Sequence, residues 1–172
     1  MATTIANDTA CRLRPATDRD WAMVRKWLRL AEVERWMGPA SSTEAEVIQA
    51  LGGAHSLACI IEHQGQPIGY AHAVDAMTWG EELPQDLQPG TWDMDLFIAA
   101  PSARGLGFGA RALAALRNEV FSTTLATAVC VFTSIRNEHA VRAYEKSGFE
   151  WRRIWHDPIN GPVWLLVAER PT

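Results

Sequence analysis

The spacing of apolar residues in the N-terminal third of the chain predicts a short strand followed by helices. Arg12 to Arg14 are expected to form the first strand. Thr17 and Asp20 then form a capping-box-like helix start. The residues that follow recur at helical spacing on one apolar face: Trp21, Val24, Trp27, Leu28 and Ala31. A second short helix is predicted to begin at Ser42 or Thr43.

A β-hairpin is predicted in the centre of the chain. No polar residue interrupts Leu57 to Ile61, which is typical of a buried strand, and Gln64-Gly65 then turns the chain into a partner strand from Pro67 to Val74. Residues 75–90 follow, with prolines and glycines among carboxylates. Because this segment is too long and polar for a tight turn, we expect a loop at the rim of a substrate site.

The second half of the chain mixes strands and helices. Apolar and acidic residues alternate from Thr91 to Ile98, and this period of two predicts a strand with Asp93 and Asp95 on one face. The later patterns predict a Gly-rich loop at 104–109, helices at 110–121 and 137–146, and strands at 128–133, 149–155 and 163–168. Together they indicate one mixed α/β (α+β) domain over residues 1–172, without repeats or a linker.

The cysteine content and the length of the apolar stretches indicate where in the cell the protein works. The 172 residues include three cysteines, Cys11, Cys59 and Cys130, with no spacing typical of a disulfide pair or a metal site. We therefore expect buried thiols in a reducing compartment, the cytoplasm, and no bound metal. No apolar stretch approaches the roughly 18 residues that span a bilayer, so membrane insertion is not expected.

The charge is distributed unevenly. All 16 Lys and Arg lie in residues 1–35 and 104–172, whereas the segment 36–103 carries only carboxylates. Such a field attracts cations and repels nucleic acid, whose binding needs clustered basic residues. An ordinary acidic surface is the other interpretation. The sequence thus predicts a cationic small-molecule partner and excludes a nucleic acid.

The loop from Arg104 to Gly109 has the composition of a phosphate-binding turn. Its glycines allow backbone N–H groups to close on phosphate oxygens, and the helix that follows adds a positive N-terminal potential. A dinucleotide-binding loop is one alternative, but that motif expects an acidic residue about 20 positions on, and residues 123–132 contain none. A purely structural glycine turn is another.

Two motifs together resemble those of the GNAT acetyltransferase superfamily. Arg104, Gly107 and Gly109 fit the acetyl-CoA loop Q/R-x-x-G-x-G/A, and residues 137–149 fit N-x-x-A-x-x-x-Y-x-x-x-G-F. The resemblance implies acetyl-CoA as cosubstrate and a central, mostly antiparallel, twisted sheet that is splayed at the cofactor site and flanked by helices. The cofactor-binding residues it implies are Ile98, Arg104, Gly105, Leu106, Gly107, Phe108, Gly109, Ala110, Asn137 and Tyr144.

A closer resemblance is to aminoglycoside 6'-N-acetyltransferases. It rests on Trp36-Met37-Gly38, on residues 67–71 (PIGYA) and on the Asp-Pro and Gly-Pro pairs in residues 157–162. It implies that Asp95 is the catalytic base and that Tyr144 donates the proton to the departing thiolate, with Asp93 as the second candidate base or a substrate contact. Backbone N–H groups near Ile98 or Ala99, at a β-bulge, would stabilise the oxyanion. Asp93 and Asp95 are joined as candidate substrate-binding residues by Trp36 and Trp79, which could stack on the acceptor, and by Glu81 and Glu82 of the acidic loop.

One departure from the family pattern widens the range of acceptors to consider. Phe132 occupies the position five residues before Asn137, where some of these enzymes carry a substrate-binding aspartate. Acetylation of an aminoglycoside, conferring antibiotic resistance, is the function that the resemblance implies. The alternatives are a lysine or hydroxylysine amine in siderophore assembly, a polyamine or peptide amine, and an idle acetyl-CoA sensor. Both a monomer and a homodimer are compatible with the sequence.

Overall fold

The computed structural model describes residues 11–78 and 83–172, which form a seven-stranded sheet with helices on both faces. The elements, in chain order, are β1 (Arg12–Pro15), α1 (Trp21–Leu28), α2 (Ala31–Met37), α3 (Ala40–Gly52), β2 (Ser56–His63), β3 (Gln66–Asp75), β4 (Thr91–Ile98), α4 (Phe108–Thr123), β5 (Ala128–Ser134), α5 (Glu138–Lys146), β6 (Glu150–Asp157) and β7 (Gly161–Glu169). The strand order is β1-β2-β3-β4-β5-β7-β6.

The sheet is antiparallel except at its centre, where β4 and β5 run parallel. Their pairing covers only Thr91–Asp93 against Ala128–Cys130. Beyond Asp93, β4 continues for five residues beside β3 alone, so the two central strands separate towards their C-terminal ends. This confirms the predicted mostly antiparallel sheet, splayed in the middle.

Each face of the sheet has its own apolar core. On one face, Met94 and Val129 pack with Leu116 of α4. On the other face, Phe97 packs with Val24 of α1 and with α3. Because side chains alternate along β4, Asp93 and Asp95 project to the same face as Phe97, the face covered by α1 to α3. The aspartates and the Gly-rich loop that starts α4 therefore approach the sheet from opposite sides.

The N-terminal helices differ from the prediction. The single predicted helix is divided into α1 and α2, because Leu30 has extended backbone angles (φ −67°, ψ 133°) that end helical hydrogen bonding. The next helix, α3, begins at Ala40 rather than at Ser42 or Thr43, since the carbonyl of Pro39 already accepts from the Ser42 amide. The capping-box start is confirmed: the Asp20 carboxylate accepts from the Thr17 amide at 2.8 Å.

The remaining predicted elements are confirmed with small shifts at their ends. The shifts reach two residues, as in α4, which begins at Phe108 instead of Ala110 because Gly107, in the left-handed conformation, already serves as its cap. The three cysteines are buried free thiols. Across the described residues, no helix combines the length and apolar character that crossing a bilayer requires.

Candidate active site

A cleft of about 800 Å³ opens where β4 and β5 separate. Its lining comes from both sides of the sheet: α2, the free ends of β4 and β5, the loop before α4, and α5. The cleft includes all the predicted cofactor-binding residues except Leu106 and Phe108. Residues more than 40 positions apart in the sequence, such as Asp95 and Asn137, are thereby brought to one site.

The Gly-rich loop forms a cradle of backbone amides at the start of α4. Gly105 and Gly107 have φ of 73° and 83°, a conformation that other residues rarely adopt. A Cβ at Gly105 would meet no protein atom within 4 Å, and one at Gly107 would meet only Arg111, at 3.9 Å. The glycines are therefore not required by packing within the protein. Turn amides and the N-terminus of a long helix fit the diphosphate of a coenzyme.

Two arginines hold this loop in place. Arg104 donates from Nε to the Ile98 carbonyl at 3.0 Å and from Nη2 to the Ala99 carbonyl at 3.1 Å, which ties the loop to the end of β4. Arg111 donates to the Leu106 carbonyl at 3.0 Å. Arg104 was predicted to contact the cofactor. Arg111 was not predicted, because its only sequence signal is a basic residue one helical turn after Gly107.

The two predicted loop residues outside the cleft have other surroundings. Phe108 is 5% exposed and packs on His63, with ring centroids 4.6 Å apart. Leu106 is 59% exposed. Because its side chain is buried, Phe108 could contribute to coenzyme binding only through its backbone amide.

Asp95 lies in the cleft, half-buried, with its Oδ1 accepting from the Leu96 amide at 2.8 Å. Burial, followed by the nearby charge of Glu46 on α3, raises the pKa of Asp95 to about 8, against the lowering effect of that hydrogen bond. Glu46 was not predicted as a site residue, because only the packing of α3 on the sheet brings it near β4. A carboxyl with such a pKa can accept a proton near neutral pH.

Asp93 lies two residues before Asp95 on the same face of β4, where β4 and β5 are still paired. It is not among the residues that line the cleft. Burial, and then the charges of Asp95, Glu46 and Asp157, raise the pKa of Asp93 well above its ordinary range. The period of the strand places both aspartates on one face, and the resemblance ranked Asp95 first; of the two, only Asp95 lines the cleft.

Helix α5 contributes Asn137 and Tyr144 to the cleft. Asn137 caps the helix, its Oδ1 accepting from the Ala140 amide at 3.2 Å. Tyr144 is 7% exposed, and burial, followed by the charges of Asp95 and Asp93, raises the pKa of its phenol. The phenol is therefore protonated at neutral pH and can donate a hydrogen bond or a proton. Further α5 residues in the lining, which the sequence analysis did not assign, are His139, Arg142 and Lys146.

The far end of the cleft is formed by α2. Trp36 lies there and donates from Nε1 to Oε1 of Glu32 at 3.0 Å. Phe132 of β5 also lines the cleft. The predicted substrate residues Trp79, Glu81 and Glu82 lie outside the described residues.

The end of β4 carries the predicted bulge. The amides of Ala99 and Ala100 both donate to the Ile68 carbonyl, at 2.7 and 3.1 Å. Because hydrogen-bonding directions alternate along a strand, the Ile98 amide points the other way, into the gap between β4 and β5. Of the two predicted oxyanion donors, the Ala99 amide already has an acceptor, and the Ile98 amide faces the cleft.

Comparison with known proteins agrees with this geometry. The acetyltransferase (GNAT) domain family matches residues 16–156. The chain therefore belongs to the GNAT acetyltransferase family, as its two motifs indicated.

Within the family, the chain is similar to aminoglycoside N(6')-acetyltransferases type 1 from Klebsiella pneumoniae and Serratia marcescens. Each is 32% identical over an alignment of 175 positions, which covers 97% of this chain and 86% of the relative. The solved structure of AAC(6')-Ib in complex with coenzyme A and kanamycin superposes with a TM-score of 0.82, at 27% identity over 94% of this chain and 95% of that one. The complex with ribostamycin and coenzyme A gives the same TM-score of 0.82, with 94% of each chain covered.

Proposed function

We propose that this chain transfers the acetyl group of acetyl-CoA to the 6'-amino group of an aminoglycoside antibiotic, which would confer resistance. The observation that carries the proposal is the position of Asp95, a carboxylate of raised pKa that faces the same cleft as the amide cradle at 105–109. The similarity to aminoglycoside N(6')-acetyltransferases over 97% of the chain supports the choice of acceptor.

Asp95 serves as the base. An ammonium has no lone pair, so the acceptor amine must lose a proton before or during its attack on the thioester carbonyl. One proton of the ammonium passes to solvent and leaves the neutral amine. As the new C–N bond forms, the ionised Asp95 carboxylate takes a second proton from the nitrogen, directly or through a water molecule. The amide at Ile98, which points into the gap between the strands, stabilises the negative charge that develops on the carbonyl oxygen.

Tyr144 completes the reaction. When the tetrahedral intermediate collapses, the C–S bond breaks and the coenzyme leaves as a thiolate. The phenol of Tyr144 lines the cleft and remains protonated at neutral pH because its pKa is raised. It gives its proton to the sulfur and regains one from Asp95 through solvent, so that the products are an amide, a neutral thiol and one proton released to solvent.

Charge favours a polycationic acceptor. Four carboxylates lie near one another on the face of the sheet covered by α1 to α3: the charges of Asp95, Glu46 and Asp157 raise the pKa of Asp93, and the charge of Glu46 raises the pKa of Asp95. An aminoglycoside carries several ammonium groups that such a field attracts. The similar proteins reported above favour this acceptor over a lysine or hydroxylysine amine, a polyamine or a peptide.

The acceptor is tested by measuring thiol release from acetyl-CoA in the presence of kanamycin-type aminoglycosides, lysine derivatives, polyamines and peptides. We expect kcat/KM to be highest for the aminoglycosides. Turnover confined to lysine derivatives or polyamines would contradict the proposal. If acetyl-CoA binds but no amine is acetylated, the chain acts as a sensor instead.

The pH dependence of catalysis should report the environment of Asp95. Because the base must be ionised, we expect kcat/KM to rise with pH through about 8, the pKa of Asp95 in the free enzyme. Glu46→Gln removes a negative charge that raises this pKa, so the rise should move to lower pH. The measurement is a pH profile of kcat/KM for kanamycin.

The control for this shift lies on the same helix. Glu44 is paired with Arg25 and Arg29, at 3.4 and 2.9 Å. Glu44→Gln should leave the profile in place. Titration of the free acceptor amine is the same for every variant, so a shift confined to Glu46→Gln would belong to the enzyme. Identical profiles for the wild type and Glu46→Gln would show that Asp95 does not govern this limb.

We also propose that residues 1–172 act as one acetyltransferase domain in the cytoplasm, as a monomer or a homodimer. The family match over residues 16–156 supports the single domain. Three buried free thiols support a reducing compartment.

A further inference from the structure

The cleft has two chemically different sides on the face covered by α1 to α3. On the β4 side, the carboxylate of Asp95 lines the cleft. On the β5 side, at the place where the strands have separated, the lining side chain is Phe132. An acceptor ring that brings its amine to Asp95 must turn another edge towards Phe132.

Phe132 belongs to an aromatic pair. Its ring centroid lies 5.3 Å from that of Trp155 on β6, with an angle of 55° between the planes. The cross-strand partners Leu165 and Val163 place both rings on the same face of the sheet. Both side chains are half-buried. We call Phe132 and Trp155 the aromatic wall.

The charged side chains next to the aromatic wall already have partners. Arg153, on the same face of β6, donates to Oδ1 of Asp86 at 2.6 Å. Oδ1 of Asp157 accepts from the amides of Ile159 and Asn160, at 2.7 and 2.9 Å. The aromatic wall therefore offers an apolar surface, whereas carboxylates dominate the β4 side.

We infer that the aromatic wall is a specificity-determining element: it packs against the C–H face of the acceptor sugar and favours a hydroxyl over a second ammonium on the edge that faces β5. This inference rests on the proposed function. A sugar face carries C–H groups that bury well against aromatic rings. An ammonium turned to this wall would lose water in return for a cation–π contact alone, whereas a carboxylate would give it a charge-assisted hydrogen bond.

The test compares two acceptors that differ only in one substituent of the acceptor ring: kanamycin A carries a hydroxyl where kanamycin B carries an amino group. The quantity measured is the ratio of kcat/KM for kanamycin B to that for kanamycin A. Phe132→Asp should raise this ratio by about tenfold or more, because it places a carboxylate next to the added amine. Acetylation of both acceptors with an unchanged ratio would overturn the inference.

Apolar variants keep the test decisive if Phe132→Asp does not fold. Phe132→Leu and Trp155→Leu should each raise the KM for both kanamycins several-fold while the KM for acetyl-CoA stays constant. Trp151→Leu is the matched control, because Trp151 pairs with Trp164 on the opposite face of the sheet. Unchanged acceptor KM in Phe132→Leu and Trp155→Leu would refute the aromatic wall.

The same experiment separates the two proposals. If the wild type acetylates neither kanamycin, the proposed function fails and the inference fails with it. If the wild type acetylates them and the variants behave like the wild type, only the inference fails.

Discussion

Asp95→Asn should lower kcat by about 10²- to 10⁴-fold, the range expected when a general base is removed. Asparagine has nearly the size of a protonated aspartate but cannot accept the proton of the attacking amine. Because Asp95 is on the acceptor side of the cleft, binding of acetyl-CoA should be unchanged. The measurements are steady-state turnover with kanamycin and calorimetric titration with coenzyme A.

Asp93→Asn is the matched control for this substitution. Asp93 lies on the same strand and face, but its pKa is raised well above the ordinary range and it does not line the cleft. Asparagine therefore replaces a carboxyl that does not reach the acceptor, and kcat should change by less than about tenfold. An Asp93→Asn defect as large as that of Asp95→Asn, or unchanged turnover in Asp95→Asn, would remove Asp95 as the base.

Gly107→Trp should abolish measurable binding of coenzyme A. Only Arg111 lies within 4 Å of a Cβ added at Gly107, so the protein has room for a larger side chain there. The indole would then fill the cradle that receives the diphosphate. The backbone at Gly107, with φ of 83°, adds strain of about 1–2 kcal/mol for any residue with a Cβ. Titration of the variant with coenzyme A measures the loss, and thermal unfolding measures the strain.

Gly65→Trp controls for the strain. Gly65 has φ of 75° in the turn between β2 and β3, and an added Cβ there would meet no atom within 4 Å. It does not line the cleft. This variant should lose about as much stability as Gly107→Trp but bind coenzyme A normally. Equal loss of binding in both variants would mean that misfolding, rather than the cradle, explains the effect.

Features of the site that depend on local sequence could be predicted. The alternation from Thr91 to Ile98 determines which face carries Asp95, because the period of a strand is fixed by its backbone. Gly105 and Gly107 indicate the loop because positive φ favours glycine. Asn137 indicates the start of α5 through its capping side chain.

Features that depend on contacts between distant elements could not be predicted. Glu46 reaches the site only because α3 packs on the sheet. No pattern in residues 40–52 predicts which part of the sheet this helix covers. The choice between Asp93 and Asp95 depends on where β4 leaves β5, a property of two strands that are 29 residues apart along the chain. Arg104 was predicted to bind the cofactor, whereas in the structure its guanidinium donates to the carbonyls of Ile98 and Ala99 and so holds the loop against β4.

The splayed strands are expected to hold a thioester between the amide cradle and Asp95. A crystal structure of the protein with coenzyme A and kanamycin measures this most directly. We expect the diphosphate within hydrogen-bonding distance of the amides at 105–110, and the 6'-amine beside the Asp95 carboxylate. A diphosphate bound elsewhere, or an acceptor amine far from Asp95, would contradict the account.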